Sequence, residues 1–390
     1  MTISDHLEML GVELRSSWTQ TRKANGDILQ SRIQNTIRQW KTGKFMLLNM
    51  RSWSLNQYCL SKAWFRTHSV DIRIQDVNKI TSLVKSWLYA DQFLKPEELV
   101  MYRPPSYGGL GILNVKEKAL AGLIKSFMET AANSQFIPSL FHNILYRYHV
   151  LGETSLPNPG FTPFYNRDFF EKIRNVHQET PLNVCNMSEK DWYRVLLEDN
   201  CTMEAEDGRQ REYIMCRVER ASPTTDWEQC WRLARLPGLG SENFSFLFKL
   251  IHQILPTQER VARAKPNTNP YCKAQGCTDV VEDLSHALIT CQANDNVGTM
   301  LTELLRVFLP RLEVESLLRL DLHIEHDLEL PIVLFLTTVL NSIWKLRQPG
   351  NRVQKYLVRS ELEATINLLR ETRYSHLEGR LEEFTVSMFG

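Results

Sequence analysis

The chain has 390 residues and a formal net charge of +1, and 43% of its residues are hydrophobic. This length allows two or three domains with a sizeable core, and the composition excludes a disordered chain. The N-terminus lacks the basic flank and apolar segment of a secretory signal, and the apolar stretch at 332–340 is too short to span a bilayer. We therefore expect a soluble intracellular protein, nuclear or cytoplasmic, in which Pro331 begins a buried helix.

Charge is distributed unevenly along the chain. Residues 1–150 carry 19 Lys and Arg against 11 Asp and Glu, a net charge of +8, whereas the remaining residues carry a net charge of −7. Such asymmetry is typical of a chain in which one half binds a polyanion.

The first predicted helix carries an apolar stripe and lies within an interval between Asp27 and Asp71 that has no acidic residue. Phosphates attract cations and unpaired bases stack on aromatic rings, so this interval predicts a nucleic-acid-binding surface. The alternative is a helical core with a solvated cationic face, in which the tryptophans are buried. We expect this alternative to hold for most of the aromatic residues and the charge to indicate nucleic acid. The predicted phosphate-contacting residues are Arg32, Arg38, Lys41, Lys44, Arg51, Lys62 and Arg66. The interleaved aromatic residues are Phe45, Trp53, Tyr58, Trp64 and Phe65.

The next predicted helix has an apolar stripe formed by Val77, Ile80, Val84, Trp87 and Leu88. It leads into Tyr89-Ala90-Asp91-Gln92, which resembles the aromatic-x-Asp-Asp sequence of reverse transcriptases. Two-metal chemistry needs two carboxylates, and Gln92 replaces the second one at the end of a helix. We therefore expect no catalytic site here.

A tight loop is predicted at 103–111, which contains two prolines and three glycines. After it, Asn114 with Glu117 three residues on is typical of a capping box that begins a helix. The proline-rich segment 157–163 and the polar segment 204–211 indicate boundaries, and a further helix holds Trp227 and Trp231. Later helices are predicted at 301–308, 332–346 and 353–369.

The pattern C-x4-C-x8-H-x4-C predicts a zinc site formed by Cys272, Cys277, His286 and Cys291. Gly276 permits the sharp bend that a ligand loop requires, and we expect a short hairpin at the metal. Four protein ligands leave no open coordination position, which favours a structural site over a catalytic one. The alternative is three buried cysteines beside an unrelated histidine.

The order of several short motifs resembles LINE-type (non-LTR) retrotransposon reverse transcriptases over most of residues 1–300. The segment after the palm of that family is similar to Leu10-Gly11-Val12, Trp40, Tyr102-Arg103-Pro104-Pro105, Gly108-Gly109-Leu110-Gly111-Ile112 and Ala119-Leu120. The zinc-binding domain of that family is similar to Trp227, Trp231, 244–250, Leu255-Pro256-Thr257, Cys272, Cys277, Glu282, His286 and Cys291.

The resemblance implies a mainly α chain with a basic thumb-like module at 1–135, a helical linker at 136–225, a zinc-binding domain at 226–300 and a helical tail at 301–390. In that family such regions hold RNA and target DNA without performing the chemistry. The paired catalytic aspartates of the palm and the endonuclease have no counterpart in the sequence, so we expect no enzyme. The alternatives are a zinc-stabilised scaffold that binds proteins, an inactive element fragment, and a chain that supports a separate palm in trans.

Overall fold

The computed structural model describes residues 6–9, 11–40, 46–90, 92, 94–133, 187–204, 211–213, 216–274, 276–347, 352–370 and 372–390. These residues are mainly helical, which confirms the predicted fold class. In chain order, the elements of the first half are β1 (His6–Met9), β2 (Val12–Arg15), α1 (Trp18–Gln39), α2 (Leu48–Ser54), a π-helical segment (Leu55–Leu60), α3 (Ser61–Thr67), α4 (Ile74–Leu88), α5 (Glu98–Tyr102), a 3-10 turn (Pro105–Tyr107) and α6 (Val115–Asn133).

The second half is also built from helices, together with one two-stranded hairpin. Its elements are α7 (Glu189–Cys201), β3 (Thr202–Glu204), β4 (Arg211–Tyr213), α8 (Arg217–Ala221), α9 (Trp227–Leu233), α10 (Gly240–Ile251), α11 (Gln258–Ala264), a π-helical turn (His286–Thr290), a 3-10 turn (Gln292–Asn294), α12 (Val297–Phe308), α13 (Val314–Arg319), α14 (His326–Leu346), α15 (Lys355–Arg370), a 3-10 turn (Ser375–Leu377) and α16 (Glu378–Phe389).

The chain forms two compact units. Unit 1 comprises Met1–Met46, Arg51–Ala90 and Gly111–Ile214, and unit 2 comprises Leu47–Met50, Asp91–Leu110 and Met215–Gly390. The predicted zinc-binding domain and helical tail both lie within unit 2, and most of the predicted linker lies outside the described residues.

Unit 1 opens with an antiparallel hairpin that was not predicted, in which His6 pairs with Arg15 and Met9 pairs with Val12. The buried Asn25 side chain of α1 holds β2 in place, because it accepts from the Glu13 amide (3.1 Å) and donates to the Glu13 carbonyl (2.7 Å). The hydrogen-bonding potential of this hairpin is thus satisfied by a helix beside it.

The α4 stripe lies in the core of unit 1 as predicted, with Val77, Ile80, Val84 and Leu88 buried. The side chain of Asn114 caps α6, where it accepts from the amides of Lys116 (3.0 Å) and Glu117 (3.4 Å), as predicted. The second half of the predicted capping box is not formed, because the Asn114 amide donates to the Tyr193 hydroxyl (3.0 Å) and not to Glu117.

The core of unit 2 surrounds α14, on which Ile332, Val333, Phe335 and Leu336 have no exposed surface. α14 begins at His326, so the prediction that Pro331 begins this helix is wrong by five residues. Among the described residues α14 alone has the length and hydropathy of a membrane span, but 78% of its apolar window is buried in this core. Burial of that kind is typical of a core helix in a globular unit.

The predicted tight loop belongs to unit 2 over residues 103–110. Gly108 has a left-handed φ of +74°, and a Cβ built there would come within 2.4 Å of the Trp231 ring, so only glycine fits. Arg103, at the start of the loop, is buried in an ion pair with Glu219 of α8.

Candidate metal centre and candidate nucleic-acid interface

The first two cysteines of the Cys/His cluster lie on a short hairpin, as predicted. The Cys272 amide donates to the Val280 carbonyl (2.8 Å), next to an isolated antiparallel bridge between Tyr271 and Val281. Gly276 has a left-handed φ of +87°, which turns the chain back just before Cys277. The hairpin therefore brings the Cys272 and Cys277 thiols to one side of the loop.

The other two residues lie at the ends of one helical turn. The Asp283 carboxylate accepts from the His286 amide (2.7 Å) and so caps the π-helical turn that His286 begins. Cys291 follows this turn directly in an extended conformation. The backbone thus places His286 and Cys291 one turn apart, on the side that faces the hairpin cysteines.

The four side chains converge on one point. Their ligand atoms all lie within 4.8 Å of one another. The Cys291 sulfur is 3.9 Å from that of Cys272 and 3.7 Å from that of Cys277, so these cysteines are free thiols. A tetrahedral zinc with Zn–S bonds of about 2.3 Å requires sulfurs roughly 3.8 Å apart. The spacing fits a four-coordinate metal ion and excludes a disulfide.

The hydrogen bonds and pKa values of His286 and Cys291 are also consistent with a set of metal ligands. The His286 Nε2 atom is buried and has no hydrogen-bond partner, whereas Nδ1 contacts the Thr290 hydroxyl (3.4 Å). Burial lowers the pKa of His286, and the charge of Arg347 lowers it further, so the imidazole is neutral and Nε2 is free to bind a metal. Burial raises the pKa of Cys291 to about 12, with contributions from the neighbouring thiols. A divalent cation would relieve the cost of ionising these thiols together.

Two residues beside the cluster were not predicted as parts of the site. The Arg347 guanidinium, just after α14, contacts the Cys272 sulfur (Nη2 to Sγ, 3.8 Å) and pairs with the Glu282 carboxylate. Glu282 was named only within the family resemblance, and Arg347 lies 75 residues from Cys272, so local spacing gave no signal for it.

The predicted phosphate-contacting residues divide into three groups. Arg32, Arg38 and Lys62 are exposed on α1 and α3. Arg51 and Arg66 are buried, with 4% and 3% of their surfaces exposed, so their prediction as phosphate contacts is wrong. The remaining predicted cations, Lys41 and Lys44, lie outside the described residues, as do Phe45 and Asp91.

The two buried arginines have structural partners instead. Arg51 donates from Nη1 to the Leu88 carbonyl (3.2 Å), and Arg66 donates from Nη1 to the Asn25 side chain (2.8 Å). Burial lowers the pKa of Arg66, and the nearby charge of Arg32 acts in the same direction. These guanidinium groups hold helix ends together within unit 1, which sequence composition alone does not distinguish from surface charge.

Two of the exposed cations, Arg32 and Lys62, line a groove one turn away from a row of rings. The Lys62 ammonium donates to the Thr36 hydroxyl (2.9 Å), and together with Arg32 these residues line a groove of about 430 Å³ between α1 and α3. One turn further along, the Tyr58 ring packs against Trp40 (centroids 5.2 Å apart) and against Trp53 (5.6 Å).

The rings beside the groove remain accessible to a ligand. Trp53 is 56% exposed, Tyr58 is 46% exposed and Phe65 is 59% exposed, so the expectation that most of these aromatic residues lie in a core is wrong. The rings Trp40, Trp53, Tyr58 and Phe65 and the three exposed cations Arg32, Arg38 and Lys62 are called the basic-aromatic face below, although Arg38 does not line the groove.

The π-helical segment between α2 and α3 accounts for the spacing of this face. A π-helical turn inserts an extra residue, which rotates the side chains that follow and is frequent at functional sites. Here it places Tyr58 against both Trp40 and Trp53 while Lys62 reaches Thr36.

No protein-family model matches the chain, and no curated protein matches it significantly.

Proposed function

We propose that this chain is a non-catalytic nucleic-acid-binding protein that holds single strands on the basic-aromatic face of unit 1. The observation that carries the proposal is the exposure of three rings and three cations within the same interval of 43 residues between Asp27 and Asp71, which contains no carboxylate. Arg32 and Lys62 offer charge to phosphates along the groove, while Trp53 and Tyr58 offer flat surfaces to unpaired bases. The motif order that resembles LINE-type reverse transcriptases supports the same function and a retrotransposon origin.

We further propose that the metal of the Cys3His cluster is zinc and that its role is structural. Three thiolates and one imidazole form a soft ligand set that suits zinc, and they occupy all four tetrahedral positions. With no position left for water or substrate, the ion would stabilise the loops of unit 2 and would not activate a nucleophile.

The test is a binding titration of the full chain with a fluorescent single-stranded RNA, the same single-stranded DNA and its duplex. Changing Arg32, Arg38 and Lys62 together to Gln should weaken binding to all three probes by at least about tenfold, since three phosphate contacts are lost. The matched control changes Lys23, Lys79 and Lys116 to Gln, which removes the same charge from exposed positions of unit 1 outside the face.

Equal losses in the two triple variants would mean that only overall charge matters and would contradict a site on this face. If neither variant loses affinity, the face does not bind nucleic acid. The zinc-stabilised protein scaffold then becomes the better account of these exposed rings.

A further inference from the structure

Arg347 joins the metal centre to the core helix of unit 2. Arg347 directly follows the last residue of α14, and its side chain is only 13% exposed. Its backbone amide donates to the Ile343 carbonyl and so caps the C-terminus of α14. The guanidinium places Nη2 3.8 Å from the Cys272 sulfur and contacts the Glu282 carboxylate with the same nitrogen. A cation therefore lies against the half-buried member of the ligand set.

Glu282 fixes the position of this cation. Its amide donates to the Pro270 carbonyl (2.9 Å), and its carboxylate accepts from the Gln258 amide (3.0 Å) at the start of α11. The carboxylate is thus anchored at two points next to the ligand hairpin. Both contacts come from Nη2, so they fix one guanidinium nitrogen between the carboxylate and the Cys272 sulfur. A lysine ammonium is more strongly hydrated and sits on a flexible stem, so it would hold this position less well.

The negative charge of the cluster makes a hydrogen-bond donor to a thiolate favourable, although the Arg347–Glu282 pair adds no net charge. Three thiolates, a neutral imidazole and a divalent ion sum to a net charge of −1 in a mostly buried place. Hydrogen bonds from outer residues orient metal ligands and tune the ion, and their loss commonly lowers metal affinity by about 10–100-fold.

We infer that Arg347 is a positioning residue of the metal centre: it donates to the Cys272 thiolate and couples metal occupancy to the end of α14. This inference rests on the proposed zinc site and adds a partner that lies outside the cysteine-rich segment. Its consequence is that the metal centre and α14 are one structural element of unit 2.

The experiment measures zinc affinity of the full chain by competition with a chromogenic chelator, and records the thiolate-to-metal absorption band after cobalt substitution. Arg347→Met should weaken zinc binding about 10–100-fold and shift the cobalt band, because the donor to one thiolate is gone. Arg347→Lys keeps the charge but replaces the guanidinium with a more strongly hydrated ammonium, so its zinc affinity should lie between those of Arg347→Met and the unaltered protein. Arg352→Met is the matched control, since Arg352 is exposed and pairs with Asp295 (3.0 Å) without touching a ligand.

The cobalt band separates a direct contact from a general loss of stability, because a purely structural role changes affinity without changing the spectrum of the bound ion. If Arg347→Met does not fold, Arg347→Lys carries the same two measurements. A folded Arg347 variant with the affinity and band of Arg352→Met overturns the inference while leaving the zinc site intact. An unaltered protein that binds no zinc overturns both.

Discussion

The buried ion pair between Arg103 and Glu219 should be the most sensitive polar contact of unit 2. Glu219 accepts from both guanidinium ends (2.7 and 3.1 Å), from the Cys216 amide (2.7 Å) and from the Trp231 indole (3.1 Å). Burial alone would raise the pKa of Glu219, but the hydrogen bonds and charge of Arg103 hold it below its ordinary value. The carboxylate is therefore ionised and fully coordinated.

Glu219→Gln removes one charge and leaves the Arg103 guanidinium buried without its counterion. Breaking a buried pair in this way costs about 3–5 kcal/mol, and in a unit of this size each kcal/mol lowers the Tm by about 2–4 °C. We therefore expect calorimetry to show a fall of roughly 6–20 °C.

The matched control is Glu97→Gln, because Glu97 and Arg220 join the same two chain segments at the surface (2.6 Å, with 35% and 52% of their side chains exposed). An exposed pair contributes at most about 1 kcal/mol, so this variant should melt within a few degrees of the unaltered protein. Equal effects of the two substitutions would refute the reasoning, since burial would then not determine the cost.

Three further predictions concern single residues. His286→Ala should release the bound metal, as measured by elemental analysis, and should make the segment around Cys277 more susceptible to proteolysis. The control His323→Ala changes an exposed histidine and should retain the metal. Burial lowers the pKa of His252 to about 4, so the unfolded state binds the proton more readily between about pH 6.5 and 4. Stability should therefore fall by up to about 3 kcal/mol as the pH drops through that window, and His252→Gln should abolish this part of the dependence in chemical denaturation. Trp53→Ala should weaken single-strand binding selectively at an unchanged Tm, and equal loss for the duplex would contradict base stacking.

The parts of the fold that depend on local pattern could be predicted from the sequence. Helical spacing predicted that Val77 and Val84 share one apolar stripe, and both are buried. The spacing of the cysteines predicted a common site, and the Cys272 and Cys291 sulfurs lie 3.9 Å apart. In both cases a short stretch of chain fixes the relative positions of the residues, so periodicity and spacing carry the information.

Contacts between distant parts of the chain could not be predicted in the same way. Arg51 and Arg66 look like surface cations in the sequence, yet each is buried against partners more than 35 residues away. Arg347 reaches Cys272 across 75 residues, again without any local signal. Composition gives the charge of a segment, whereas burial depends on which distant elements pack over it.

The salt dependence of binding tests the central claim most directly. Single-strand affinity of the full chain should fall linearly with salt on a log–log plot, and each neutralised phosphate contributes about 0.7 to the slope. Changing Arg32, Arg38 and Lys62 to Gln should therefore flatten the slope by about 2, while the Lys23, Lys79 and Lys116 control should leave it unchanged. A slope that is the same in all three proteins would contradict binding at the basic-aromatic face.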